Sequence, residues 1–139
     1  MARVRSRFSK KSKYYISKHA FLTAYHYCLN YDEWVEEHEL SIGLRSGNGD
    51  DSGSSGSGGT SDPTASQAIR MANLYEKIET VRSLAYAAEP SLHPYLLQYV
   101  THEDMTFDKL KAQGMPCERK MFYDRRRKFY WMLAKKLEL

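Results

Sequence analysis

Two long stripes of apolar residues at helical spacing constrain the fold of this 139-residue chain more than any other feature. Members of each stripe follow one another in alternating steps of three and four residues, which places them on one side of an α-helix. The stripes are Phe21, Ala24, Cys28, Tyr31, Val35 and His38, and then Met71, Leu74, Ile78, Val81, Ala85 and Ala88. The sequence contains no β pattern of useful length, so we predict an all-α fold.

A Gly- and Ser-rich segment at residues 45–60 separates the two stripes. It offers no apolar side chain for burial, which predicts a flexible linker. We therefore predict a first long helix over 14–44 and a second over about 63–88, which ends because a helix does not readily continue through Pro90. The two helices either pack as an intrachain hairpin or form a dimer interface, and their length favours a homodimer.

The C-terminal part of the chain contains shorter helical patterns. A short helix over Pro94–Val100 precedes a helix over Met105–Gln113, which ends at Gly114 because glycine suits the left-handed conformation found there. The last helix runs from about Cys117 to Lys136. A short helix, a Gly-containing turn and a longer basic helix are typical of a helix-turn-helix, so we predict a DNA-binding domain over residues 61–139.

Positive charge is concentrated in two segments. The formal net charge of +4 permits a nucleic-acid partner without requiring one. Residues 1–13 form a basic arm that includes Arg3, Arg5 and Arg7, and residues 119–128 hold six Lys or Arg residues against one Asp. The arm either contacts DNA phosphates or a minor groove, or serves as a solubilising tail.

A helical projection of residues 118–136 separates an apolar side from a basic side. The apolar side contains Met121, Phe122, Phe129, Met132 and Leu133. The basic side contains Lys120, Tyr123, Asp124 and Arg127, with Arg119 and Tyr130 at its edge. Arg126 and Lys128 flank the basic side and suit contacts with phosphates. Arg125 lies within the apolar side, where it must extend to solvent or find an acidic partner.

The basic side has the chemistry that a DNA groove requires. Arginine donates a pair of hydrogen bonds to guanine, lysine reaches guanine or phosphate, and tyrosine contacts phosphate or a thymine methyl group. The predicted DNA-binding residues are Arg119, Lys120, Tyr123, Asp124, Arg126, Arg127 and Lys128, with Arg3, Arg5 and Arg7 of the arm. The alternative interpretation is a solvated cationic helix without a ligand.

Signatures of catalysis are missing from the sequence, which has neither a phosphate-binding glycine loop nor a nucleophile beside a base. We therefore predict no enzymatic activity, no cofactor and no metal site. Cys117, at the start of the last helix, is interpreted as structural. The acidic run at 32–39 is interpreted as a solvated face, with a docking patch as the alternative. No apolar run approaches the ~20 residues of a membrane span, and we expect a soluble intracellular protein.

Three groups of residues carry a resemblance to a known family. They are Ser9-Lys10-Lys11-Ser12-Lys13-Tyr14-Tyr15, Thr60-Ser61-Asp62-Pro63-Thr64, and Gly114-Met115-Pro116-Cys117 followed by Phe122-Tyr123-Asp124-Arg125-Arg126-Arg127-Lys128-Phe129-Tyr130. The chain resembles the RinA/ArpU-type late-gene activators, which are phage and prophage transcriptional regulators of Gram-positive bacteria. Its C-terminal module resembles the helix-turn-helix of sigma-factor region four.

The resemblance implies activation of phage late or packaging genes by binding of promoter DNA, together with contact to host RNA polymerase. It implies a cytoplasmic, nucleoid-associated location in a bacterial host cell as well. It also implies that bases are read by Arg119, Lys120, Tyr123, Asp124 and Arg127. Two alternative functions stay open. One is a small terminase subunit whose long helices build a ring on packaged DNA, and the other is a phage-encoded protein-binding inhibitor of a host factor.

Overall fold

The computed structural model of the protein describes residues 12–47 and 61–139, and all regular elements in these residues are helical. They are α1 (Lys18–Cys28), α2 (Tyr31–Gly47), α3 (Ser61–Ala88), a 3-10 turn (Pro90–Leu92), α4 (His93–Thr101), α5 (Phe107–Ala112) and α6 (Arg119–Lys136). The predicted all-α fold is confirmed. Arg3, Arg5 and Arg7 of the predicted arm and residues 48–60 of the predicted linker lie outside the described residues.

The single helix predicted over 14–44 is wrong, because the chain turns at Leu29 and Asn30. The side-chain amide of Asn30 donates to the carbonyl oxygens of His26 at 2.9 Å and Tyr27 at 3.4 Å. Asparagine competes with the backbone for such carbonyls, which closes α1 before α2 begins. Residues 45–47, which the sequence placed in the linker, belong to the end of α2.

The start of α1 is set by a side-chain cap. Ser17 is extended, and its hydroxyl accepts a hydrogen bond from the backbone N–H of Ala20 at 3.1 Å. Such a cap satisfies one of the donors that the first helical turn leaves unpaired. Tyr14, the predicted first residue of the helix, instead lies in a turn that Ser12 closes by accepting its N–H at 3.2 Å.

The second long helix agrees with its prediction. It ends at Ala88, two residues before Pro90, where the missing N–H and the fixed ring prevent continuation. The short helix predicted over 94–100 is α4, whose buried residues include Leu96 and Val100. The boundaries of both helices therefore follow from local sequence signals.

The chain forms two compact units, and the second consists of residues 32–79. Side chains of α2 contact side chains of α3 within this unit. They pair Trp34 with Lys77, Glu37 with Arg70 and His38 with Tyr75. Residues further along α2 meet earlier residues of α3, so the two segments run antiparallel. These contacts are those of an intrachain hairpin, the alternative to the predicted dimer interface.

The other unit consists of residues 1–31 and 80–139, and α1, α4 and α6 meet in its described core. Phe21 of α1 is fully buried, and its ring lies edge-on to that of Tyr130 at a centroid distance of 4.9 Å. Phe122, Phe129 and Leu133 of α6 are equally inaccessible to solvent. Burial of each such side chain contributes about 1.5–3 kcal/mol, so this core fixes the rotation of α6.

Candidate nucleic-acid interface

The turn between α5 and α6 is built from local signals. Thr106 caps α5 by accepting the N–H of Lys109 at 3.2 Å. After α5 the chain reverses at Gly114, whose φ of 98° lies in the left-handed region that favours glycine. The N–H of Met115 then donates to the carbonyl of Leu110 at 3.2 Å, and the Met115 side chain is buried. The buried methionine anchors the turn that leads into α6.

Cys117 lies just before α6, and its surroundings suit packing better than reactivity. Its thiol is buried and donates to the carbonyl oxygen of Glu118 at 3.2 Å. Burial raises the pKa of the Cys117 thiol, so the nearby helix N-terminus does not activate it. Glu118 occupies the cap position of α6 without a side-chain hydrogen bond to the helix. The first backbone N–H groups of α6 are therefore not satisfied by a side-chain cap from this residue.

The buried side of α6 differs from the predicted one. Tyr130, expected at the edge of the basic side, is 1% exposed, whereas Met121, expected in the core, is 39% exposed. Phe122, Phe129 and Leu133 are buried, as expected. The difference arises because α1 packs on α6 through Phe21 and Tyr130, which rotates the buried side toward the tyrosine.

Two arginines of α6 pair with carboxylates. Arg119 contacts Asp108 of α5, with 3.0 Å between Nη2 and Oδ1. Arg125, which the sequence placed within the apolar side, contacts Glu89 through Nε at 2.9 Å and Asp124 through Nη1 at 3.0 Å. The acidic partner expected for Arg125 is therefore present. Both arginines connect α6 to earlier parts of the chain.

Arg126 turns toward α4 instead of flanking the outer side of α6. Its Nη1 donates to the hydroxyl of Tyr99 at 2.9 Å, and its Cζ lies 4.8 Å from the ring centre of Tyr123. The Nε atom is buried and has no hydrogen-bond partner among the described residues. The guanidinium of Arg126 therefore lies between α4 and α6, whereas the sequence placed it at the outer flank of the basic side.

Three other cations of α6 form a group that we call the outward cations: Lys120, Arg127 and Lys128. Lys120 is exposed, while Arg127 and Lys128 are partly exposed. In residues 12–47 and 61–139, the side chains of these three residues have no hydrogen bond or ion pair with another described residue. Asp124 lies one turn from both Lys120 and Lys128, and it is already bonded to Arg125. The outward cations therefore keep donors available for an external anion.

An aromatic contact that sequence reasoning missed joins the start of the described chain to α6. The ring of Tyr14 lies edge-on to that of Trp131 at 5.4 Å, and Lys135 Nζ lies 3.7 Å from the Trp131 ring centre. The spacing of Trp131 and Lys135 by four residues was a usable signal, since such residues are neighbours on a helix. Tyr14 comes from a distant part of the sequence and had no such signal.

Comparison with protein-family models, curated proteins and solved structures gave no match. Among the described residues, no group of three or more His, Cys, Asp and Glu side chains is arranged to hold a metal ion. None of the helices in the described ranges combines the length and apolar character that crossing a membrane requires.

Proposed function

We propose that this protein is a sequence-specific regulator that binds double-stranded DNA through a helix-turn-helix formed by α5, the turn at Gly114 and α6. The observation that carries the proposal is the division of the six cations at positions 119–128 of α6 into two sets. The side chains of Arg119, Arg125 and Arg126 have protein partners. The side chains of the outward cations have no hydrogen bond or ion pair with a described residue. A major-groove reader requires such unengaged donors on one side of a helix.

The outward cations have different roles in the proposal. Lys120 lies in the first turn of α6, where the helix dipole and unpaired N–H groups also favour an anion. Arg127 is positioned two turns later and supplies the planar fork that pairs with guanine. Lys128 contacts a backbone phosphate. Asp124 is partly exposed beside them and would disfavour alternative registers of the duplex.

The basic arm, residues 1–13, adds phosphate contacts in this proposal. Tyr14 follows the arm directly and packs on Trp131 of α6. Trp131 lies three helical turns after Lys120, so the two side chains share a side of the helix. Arg3, Arg5 and Arg7 are therefore proposed to contact the same duplex as α6.

The biological setting is proposed from the residues that resemble the RinA/ArpU-type activators. It is activation of phage late or packaging genes in the cytoplasm of a bacterial host, by a homodimer that also contacts host RNA polymerase. The mass of the protein in solution distinguishes this setting from a small terminase subunit, because a ring is much heavier than a dimer.

Selection of bound duplexes from a random-sequence DNA library tests the proposed function. We expect enrichment of a defined motif, with two related halves if a dimer binds. A steep fall in affinity with rising salt should accompany it, because bound phosphates release counterions. Failure to enrich any motif, together with salt-independent association, would contradict the proposal and favour the protein-binding inhibitor.

A further inference from the structure

A second basic feature lies on the side of α6 that faces α4 and α5. Arginines and aromatic rings alternate there in a group that we call the arginine–aromatic row: Phe107, Arg119, Tyr123, Arg126 and Tyr99. Arg119, Tyr123 and Arg126 come from successive turns of α6, Phe107 comes from α5, and Tyr99 comes from α4. The row is distinct from the outward cations.

The contacts within the row orient both guanidinium groups. Arg119 Cζ lies 4.5 Å from the ring centre of Phe107, and its Nη1 lies 3.4 Å from the Tyr123 hydroxyl. Arg126 Cζ lies 4.8 Å from the ring centre of Tyr123 and 5.6 Å from that of Tyr99. Stacking of this kind limits the rotamers of an arginine while leaving its charge in place.

The positive charge of the row exceeds its negative charge. Arg126 has no ion pair with a described carboxylate, although its Nε atom is buried. Arg119 pairs with Asp108, but the two side chains are 55% and 83% exposed. Such a surface pair is weak, and another anion can replace the carboxylate. Tyr123, held between the two arginines, brings a hydroxyl that can donate to an anion.

We propose that the arginine–aromatic row binds a backbone phosphate of duplex DNA, with Arg119 and Arg126 as charged donors and the Tyr123 hydroxyl between them. In this arrangement Arg119 exchanges Asp108 for the phosphate. The inference rests on the proposed function, since the same duplex occupies the outward cations. It assigns Arg119 and Tyr123 to phosphate binding, in place of the base reading that the resemblance implies for them.

The test measures how affinity for a random-sequence duplex depends on salt, for the full chain and its variants. Arg119→Ala and Arg126→Ala should each weaken binding and reduce the slope of log affinity against log salt, by up to about 0.9, which is the value for complete loss of one phosphate contact. Asp108→Asn should strengthen binding, because it releases Arg119 and removes a neighbouring negative charge. Lys136→Ala removes an exposed cation of α6 away from the row and serves as the matched control, with an expected slope like that of the parent.

Arg126 is partly buried, so its alanine variant requires a thermal melt to establish that it folds. Arg119→Ala and Asp108→Asn change exposed side chains and keep the test decisive if Arg126→Ala unfolds. Salt-dependent binding by the parent with an unchanged slope for Arg119→Ala, or with no gain for Asp108→Asn, would overturn the row and leave the proposed function standing. A parent that does not bind duplex DNA at any salt concentration would overturn both.

Discussion

Arg125 of α6 donates from Nε to Oε1 of Glu89 at 2.9 Å, which connects the last helix to the residue that follows α3. Both side chains are partly buried, at 29% and 21% exposure. The pair explains how α6 accommodates a cation near its apolar side, since a charge that is partly removed from water is stabilised by a partner of opposite charge. The carboxylate of Glu89 also accepts a hydrogen bond from the Ser91 hydroxyl at 2.8 Å.

Stability should depend on pH through Glu89. The Ser91 hydroxyl, together with Arg125, holds the pKa of Glu89 below its usual 4.5, despite the opposing effect of desolvation. Because the folded pKa is depressed, this contribution is present above the unfolded pKa and is lost as pH falls through the folded pKa. Glu89→Gln should therefore lower the free energy of unfolding by about 1 kcal/mol at neutral pH.

Urea denaturation across a pH series measures this contribution. The difference between the parent and Glu89→Gln should shrink in acid, below the usual carboxyl pKa. Glu103→Gln, at an exposed position after α4, is the control for a simple loss of one negative charge. A difference that stayed constant from neutral to acid pH would contradict the role of Glu89.

Phe21 should be essential for the packing of α1 on α6. Its side chain is fully buried against Tyr130, so Phe21→Ala removes apolar contacts and leaves a cavity. We expect a loss of roughly 3–5 kcal/mol in the free energy of unfolding. Thr23→Ala, at an exposed position of the same helix, should change it by less than about 0.5 kcal/mol. Similar urea midpoints for the two variants would argue against this core.

Replacement of Gly43 and of Gly114 by alanine should change the stability of the protein in opposite directions. Neither Gly114 nor Gly43 has a heavy atom within 4 Å of an added Cβ, so backbone conformation decides the effect. Gly114→Ala should lower the free energy of unfolding by about 1–2 kcal/mol, because a residue with a Cβ is strained at the φ of 98° found there. Gly43→Ala, within α2, should raise the free energy of unfolding by about 0.5–1 kcal/mol, because alanine loses less conformational freedom in a helix than glycine does. Thermal melts followed by circular dichroism check both signs, and a stabilising Gly114→Ala would disprove the assigned turn.

Both cysteines should resist alkylation in the native protein. Cys28 is fully buried and Cys117 nearly so, and burial raises the pKa of each thiol above its usual value. Little reactive thiolate therefore forms near neutral pH. Iodoacetamide labelling followed by mass spectrometry should be slow in buffer and fast in urea. Rapid native labelling of Cys117 would indicate an activated thiol at the start of α6.

Loss of the outward cations should weaken DNA binding without unfolding the protein. Lys120→Ala and Arg127→Ala should each reduce affinity for a selected site by about 1–3 kcal/mol, because each removes a proposed base contact. Lys128→Ala should weaken binding to all sequences alike. Lys18→Ala, at the exposed start of α1, is the matched control in a fluorescence anisotropy titration. Equal affinity of the parent and both base-contact variants would count against the proposed interface.

Much of the helical organisation could be predicted from short-range signals. Pro90 ended the second long helix, Gly114 ended α5, and the stripe from Leu74 to Ala88 was the buried side of α3. The break between α1 and α2 was missed although Asn30 provides it locally. The apolar stripe continues through the break from Cys28 to Tyr31, so a prediction from periodicity alone treats α1 and α2 as one helix.

The rotation of α6 required the tertiary structure. A helical projection uses only the residues of that helix and contains no information about its neighbours. Because tyrosine occurs both in cores and at surfaces, the projection could not assign Tyr130 to either. Packing against Phe21 places Tyr130 in the core and leaves Met121 at the surface. The Tyr14–Trp131 contact was also invisible, because its two residues belong to opposite ends of the chain.

The sequence by itself determined that the chain is helical and where most of its helices end, because periodicity, caps, proline and glycine act over a few residues. Only the tertiary structure decided which cations of α6 are engaged within the protein. Arg125 finds Glu89 at a separation of 36 residues, and Arg126 finds Tyr99 at a separation of 27. Such pairs form when folding brings distant segments together, and local sequence does not specify that proximity.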